Sequence, residues 1–94
     1  MKRDCVRYAA VASGRVQGVG FRCFVQTNAK ELSITGWARN MEDGTVHMEL
    51  QGSGEQVDDL LAKIEKGSFF IKVEELSLKE IALCDDETTF VVRY

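Results

Sequence analysis

Ninety-four residues, 45% hydrophobic and 29% charged, make one folded domain, because a chain this short hides only about 60–65% of its unfolded surface and holds a single modest core. The mixture excludes a disordered chain, and a formal net charge of −3 argues against broad nucleic-acid or anionic-membrane binding, both of which draw on a surplus of Lys and Arg. No apolar run approaches the ~20 residues that span a bilayer, and Asp4 and Arg7 interrupt the stretch near the start that has the look of a leader. Cys5, Cys23 and Cys84, odd in number and widely spaced, fit reduced thiols better than a disulfide framework or a zinc site and leave open one bridge, Cys5 to Cys84, so the expectation is a cytoplasmic protein.

Val6, Tyr8, Ala10 and Ala12 alternate with Arg7, Ala9, Val11 and Ser13, which predicts a first strand with both faces partly covered. Residues 13–22, SGRVQGVGFR, place Gly14, Gly18 and Gly20 between that strand and a helical pattern of Phe21, Phe24, Val25, Ala29 and Leu32. A glycine turn that leads into a helix start offers inward-turned backbone N–H groups and the positive end of the helix dipole, and the two together describe an anion cradle. Arg22 adds a planar guanidinium fork that matches phosphate oxygens. By itself such a turn is more often plain connection, and two common phosphate motifs do not fit. The Lys of GxxxxGK[ST] is missing, and GxGxxG calls for a longer parallel-sheet domain.

Residues 34–40 predict a second strand, and Glu42, Asp43 and Gly44 a turn. Val46, Met48 and Leu50, alternating with His47, Glu49 and Gln51, predict the return strand of a hairpin. Ser53 with Gln56 three positions on marks a capped start for a second helix, whose apolar stripe is Val57, Leu60, Leu61 and Ile64 and whose end is Gly67. Residues 71–81 read as a strand whose apolar phase shifts between Val73 and Leu76, the signature of a bulge. Residues 84–87 read as a loop and residues 88–94 as a last strand. The order βαββαβ with an added strand predicts an α+β fold, an antiparallel sheet with two helices on one face. Strands one and two then point the same way, which brings the glycine turn and Asn40 to one edge of the sheet.

SGRVQGVGFR followed by GWARNMEDGTVHMELQG over residues 36–52 resembles the two sequence patterns of the acylphosphatases, small enzymes that hydrolyse the carboxyl-phosphate bond, in the order and separation of that family. The likeness runs over residues 6–94. It implies a ferredoxin-like fold, a single acylphosphatase-like domain over residues 1–94, a catalytic Arg22 that binds phosphate and a catalytic Asn40 that positions the attacking water. Backbone N–H groups of Arg15, Val16, Gln17, Gly18, Val19 and Gly20 are expected to hold the phosphoryl group. The chemistry is consistent with these residue types: an acyl phosphate is already activated and needs mainly to be held, aligned and neutralised, and a neutral amide both accepts from and donates to a water without repelling a dianion.

The run holds no His, Cys pair or metal-ligand cluster, so no metal and no cofactor is expected. The expected partners are an acyl phosphate and inorganic phosphate, with no nucleic acid and no membrane, and a closed core predicts a monomer. Two other readings share the element order: a non-catalytic module that binds acyl phosphate or carbamoyl phosphate, and an RNA-binding domain, for which Tyr8 is the only base-stacking aromatic on strand one and strand three has none. His47 alternates away from the apolar face, Trp37 reads as packing, and Arg15 and Arg39 read as solvated charge. Ala12, Cys23 and Met41 depart from the residues the family prefers there. Phe69 and Phe70 stand where it often has Pro, which marks them as a contact surface.

Overall fold

A computed structural model describes residues 4–94. The first alternation becomes β1 (Cys5–Arg15), with Ala10 and Ala12 buried and Val6 and Tyr8 packed on the same core. After it come α1 (Phe21–Glu31), β2 (Thr35–Asn40), β3 (Val46–Ser53), α2 (Gly54–Lys66), β4 (Lys72–Ile81) and β5 (Phe90–Arg93). The strands form one sheet in the order β4-β1-β3-β2-β5. β3 lies antiparallel to both β1 and β2, so β1 and β2 run in one direction and end at the same edge. β5 lies parallel to β2, with Trp37 opposite Val91, so the sheet is mixed and not antiparallel throughout. The reason is the path of the chain. β4 is antiparallel to β1 and finishes at the edge opposite the end of β2, so a strand that starts from there on the far side of the sheet must rise alongside β2.

α1 packs on β2 and β5, α2 on β1, β3 and β4, and the helices touch each other. Their inward stripes are Phe21, Val25 and Ala29 on α1, and Val57, Leu60, Leu61 and Ile64 on α2. These meet Met48, Leu50, Ala38 and Phe90 from the sheet, and burying each side chain of this size contributes about 1.5–3 kcal/mol. The start of α2 is set as its sequence predicts. Ser53 Oγ accepts from the Gln56 N–H at 3.2 Å and donates to Gln56 Oε1 at 3.0 Å, and at the far end the Gly67 N–H reaches the Lys63 and Ile64 carbonyls.

The predicted bulge falls at Glu74: Ser13 opposes Glu75 and Gly14 opposes Val73. β1 thus continues past Ser13, and Gly14 belongs to the ladder and not to the turn. A side chain at Gly14 would run into the Lys72 carbonyl oxygen, which accounts for glycine there without any role in binding.

The face of the sheet away from the helices carries a buried charge. Arg7, 3% exposed, donates from Nε to Glu49 Oε1 at 2.9 Å, from Nη1 to Gln51 Oε1 at 3.0 Å, and from Nη1 and Nη2 to the two carboxylate oxygens of Glu87 at 2.7 and 3.1 Å. Glu87 lies on the segment that crosses from β4 to β5. Gln51 holds the same segment at Cys84, donating to its carbonyl at 2.9 Å and accepting from its N–H at 2.8 Å. Residues 84–87, read from sequence as a plain loop, are therefore pinned at two points. Burial raises the Glu87 carboxyl, but hydrogen bonds from Arg7 and Thr35 with the charges of Arg7 and Arg93 outweigh it and hold the group below its ordinary value. Cys5, Cys23 and Cys84 are exposed free thiols.

Candidate active site

The edge where β1 and β2 end is built by a turn that the chain fixes from both sides. Val16 is buried and anchors the turn in the core. Gln17 Nε2 donates to the Met41 and Thr45 carbonyls at 2.8 and 2.9 Å, which ties the turn to the β2–β3 connection. Gly18 and Gly20 take φ of 73° and 78°, a left-handed backbone that side chains disfavour. Gly20 is the residue before α1, with its carbonyl accepting from the Phe24 N–H at 2.9 Å. No side chain caps that helix and its first turn carries no acidic residue. Its leading N–H groups therefore keep their positive field for an outside acceptor.

Beside the turn is a cleft of about 140 Å³. Val16, Gly18 and Gly20 line it from the turn, Phe21, Arg22 and Cys23 from α1, Asn40 from β2, and Val92 and Tyr94 from β5 and the residue after it. Arg22, at the start of α1, is partly exposed but held at two points. Its Nη1 donates to the Arg93 carbonyl at 2.7 Å, and its guanidinium lies 4.7 Å from the centre of the Tyr94 ring, a cation–π distance. Both contacts fix the plane of the fork and leave most of its five donors for another group. Asn40 contributes a different signal. Its Oδ1 is buried without a hydrogen-bond partner, the one such side-chain atom among the described residues. Leaving an amide oxygen in that state costs about 1–3 kcal/mol, a penalty that a hydrogen-bond donor brought against it removes.

Of the residues the sequence assigns to the site, Arg22, Asn40, Val16, Gly18 and Gly20 line the cleft. Arg15 does not: it closes the β1–β4 ladder opposite Lys72 and is exposed. The Gln17 side chain is committed to the hairpin connection, and Val19 packs partly against the core. Val92 and Tyr94 come from the sequence reading's last strand with no hint of a site role, because only the parallel placement of β5 beside β2 brings them to this edge.

A wider and more open groove of about 390 Å³ adjoins Asn40 along the hairpin, lined by Arg39, Met41, Glu42, Asp43 and His47. It has neither glycine turn nor helix start. Its Asp43 carboxylate accepts from Thr45 Oγ1 at 2.6 Å and from the Thr45 N–H at 3.0 Å, contacts that hold the group below its ordinary value and serve the turn. The chemistry converges on the smaller cleft. Among the described residues no three His, Cys, Asp or Glu side chains are grouped to hold a metal ion, and no helix is long and apolar enough to cross a membrane.

The sequence model of a family described as Acylphosphatase matches residues 8–92. The chain is 43% identical over 89 residues to the acylphosphatase of Clostridium beijerinckii, with 95% of this chain and 99% of that one covered. To the acylphosphatase of Clostridium acetobutylicum it is 47% identical over 88 residues, covering 94% and 97%. Its backbone superposes on the crystal structure of acylphosphatase from Bacillus subtilis with a TM-score of 0.89 at 34% identity, over 95% of this chain and 99% of that one.

Proposed function

This chain belongs to the acylphosphatase family and is a hydrolase of the carboxyl-phosphate bond of acyl phosphates; we propose that Arg22 and the turn over residues 16–20 hold the phosphoryl group while Asn40 aims the attacking water. The observation that carries this is that Asn40, whose Oδ1 is buried and unpartnered, lines the same cleft as Arg22 with its clamped guanidinium. Asn40 Oδ1 accepts from the water and presents its oxygen to phosphorus, opposite the leaving carboxylate. As the new O–P bond forms and the bond to the acyl oxygen breaks, Arg22 and the N–H groups at the start of α1 neutralise charge on the equatorial oxygens. The proton of the water passes to a phosphoryl oxygen of the substrate, and the products are a carboxylate and inorganic phosphate.

The same reading makes the protein a cytoplasmic, metal-independent monomer with one domain over residues 1–94, no cofactor and no nucleic-acid or membrane partner. The test is hydrolysis of acetyl and benzoyl phosphate in excess chelator, with a phosphate monoester as control. Removal of one fixed donor at developing charge lowers kcat about 10²–10³-fold. Folded Arg22→Ala and Asn40→Ala variants are expected to lose at least about a hundredfold, and near-normal turnover in either one refutes its assignment.

A further inference from the structure

The catalytic edge is also where cations collect. β1 ends there with Arg15, which pairs in register with Lys72 at the start of β4. Arg39, next to last in β2, sits opposite Arg93 on β5, and α2 ends there with Lys63 and Lys66 in its last turn. Arg39, Lys66 and Lys72 are exposed, and the ion pairs resolved among the described residues converge on Arg7 instead. Glu42, Asp43, Glu65, Glu74 and Glu75 share this edge and are outnumbered. The opposite edge is acidic: Glu55, Asp58 and Asp59 open α2, Glu80 lies near the end of β4, and Asp85 and Asp86 lie on the crossing segment, against Lys79 on β4 and Lys30 at the end of α1. The formal net charge of −3 thus conceals a molecule that is positive where its cleft opens and negative at the far end.

We infer that Arg39, Lys66 and Lys72, none of which lines the cleft, draw dianionic acyl phosphates to it through the field they set up and not by contact, so that the enzyme favours doubly ionised substrates from a solution its net charge would otherwise repel. This rests on the reading of the cleft as the acyl-phosphate site. A charge-lined approach of this kind raises association about 10–10³-fold, and the gain fades as salt rises, because the Debye length shrinks from about 30 Å at 0.01 M to about 8 Å at 0.15 M.

The test measures kcat and KM for acetyl phosphate between those two salt concentrations. It compares the wild type, an Arg39→Gln/Lys66→Gln/Lys72→Gln variant, and an Asp86→Asn/Glu80→Gln variant of the opposite edge. The wild-type kcat/KM is expected to fall about tenfold on adding salt, with kcat unchanged. The triple variant should start several-fold lower at low salt through KM alone and lose most of the salt slope, and the opposite-edge variant should keep it. A triple variant with wild-type kcat/KM and slope, or one whose loss lies in kcat, overturns the inference. Calorimetric binding of inorganic phosphate provides a separate readout. If acetyl phosphate is not turned over, the reading of the cleft fails, while the salt slope of phosphate binding in wild type and triple variant still decides whether the field acts.

Discussion

Replacing Arg7 by Met removes the cation that holds the β4–β5 crossing to the sheet and leaves Glu49 and Glu87 facing each other. Arg7 is nearly enclosed, with its side chain 4% exposed against 29% for Glu49 and 14% for Glu87. Breaking a buried pair by removing one partner costs about 3–5 kcal/mol. Both carboxylates retain some water, which puts the loss near the lower end, about 3 kcal/mol. In a domain of this size each kcal/mol shifts Tm by about 4–8 °C, so Arg7→Met should melt about 12–24 °C below wild type at pH 7 by circular dichroism. A drop under about 3 °C refutes the reasoning, since it means that the guanidinium is no more than a surface charge. The pH dependence supplies a second check. The Glu87 carboxyl sits below its ordinary value in the folded protein, so its contribution is fully present above the unfolded pKa of about 4.3 and is lost as pH falls through the folded value. The stability gap between wild type and Glu87→Gln should therefore hold at pH 6–7 and close on acidification below about pH 4. The crossing segment leads into β5, whose Arg93 carbonyl and neighbouring Tyr94 clamp Arg22, so Arg7→Met should also raise KM for acetyl phosphate at temperatures where the protein is still folded.

Arg22→Lys should fail at turnover almost as fully as Arg22→Ala, because a point charge cannot make two parallel hydrogen bonds to one phosphoryl group; wild-type kcat in the Lys variant would show that charge alone suffices. Tyr94→Ala removes a cation–π contact worth about 0.5–2 kcal/mol, and KM for acetyl phosphate should rise about 2- to 30-fold with the melting temperature little changed. An unaltered KM would mean that the Arg93 carbonyl orients Arg22 unaided. Gln17→Ala strips the Met41 and Thr45 carbonyls of their donor at about 1–3 kcal/mol, and in steady-state assays kcat/KM should fall more than the stability loss explains, because the turn and Asn40 lose their mutual register. If activity and stability decline together, the bond is merely structural.

What the sequence discloses here follows the range of the interaction. The alternation in β1 and β3, the Ser53–Gln56 cap and the phase slip at Glu74 are local patterns, and each maps directly onto an element. The meeting of Arg22 with Asn40 needs only one further step, that strands separated by a helix and lying on either side of β3 point the same way. The Arg7 clamp is another matter. Its partner Glu87 is 80 positions away, and an Arg in a strand carries no mark that tells a buried guanidinium from a solvated one. The hold of Arg93 and Tyr94 on Arg22 escapes for the same reason, since it depends on β5 running parallel to β2 after crossing the sheet. Arg15 and Gly14 mislead in the opposite direction: they sit inside a motif that reads as a turn, yet the bulge lets the β1–β4 ladder extend through them.

The bare start of α1 has a consequence for how long the folded chain endures. Ser and Asp cap helices from an extended backbone, whereas Gly20 takes a left-handed one with φ of 78°, so the conformation of this turn keeps a side-chain cap out. On the proposed reading of the cleft, a bound phosphoryl group takes the place of that cap. A ligand at a hundred times its Kd adds about 2.7 kcal/mol to folding. If the cleft holds phosphate as proposed, the folded chain should endure longer where phosphate is plentiful than where it runs low.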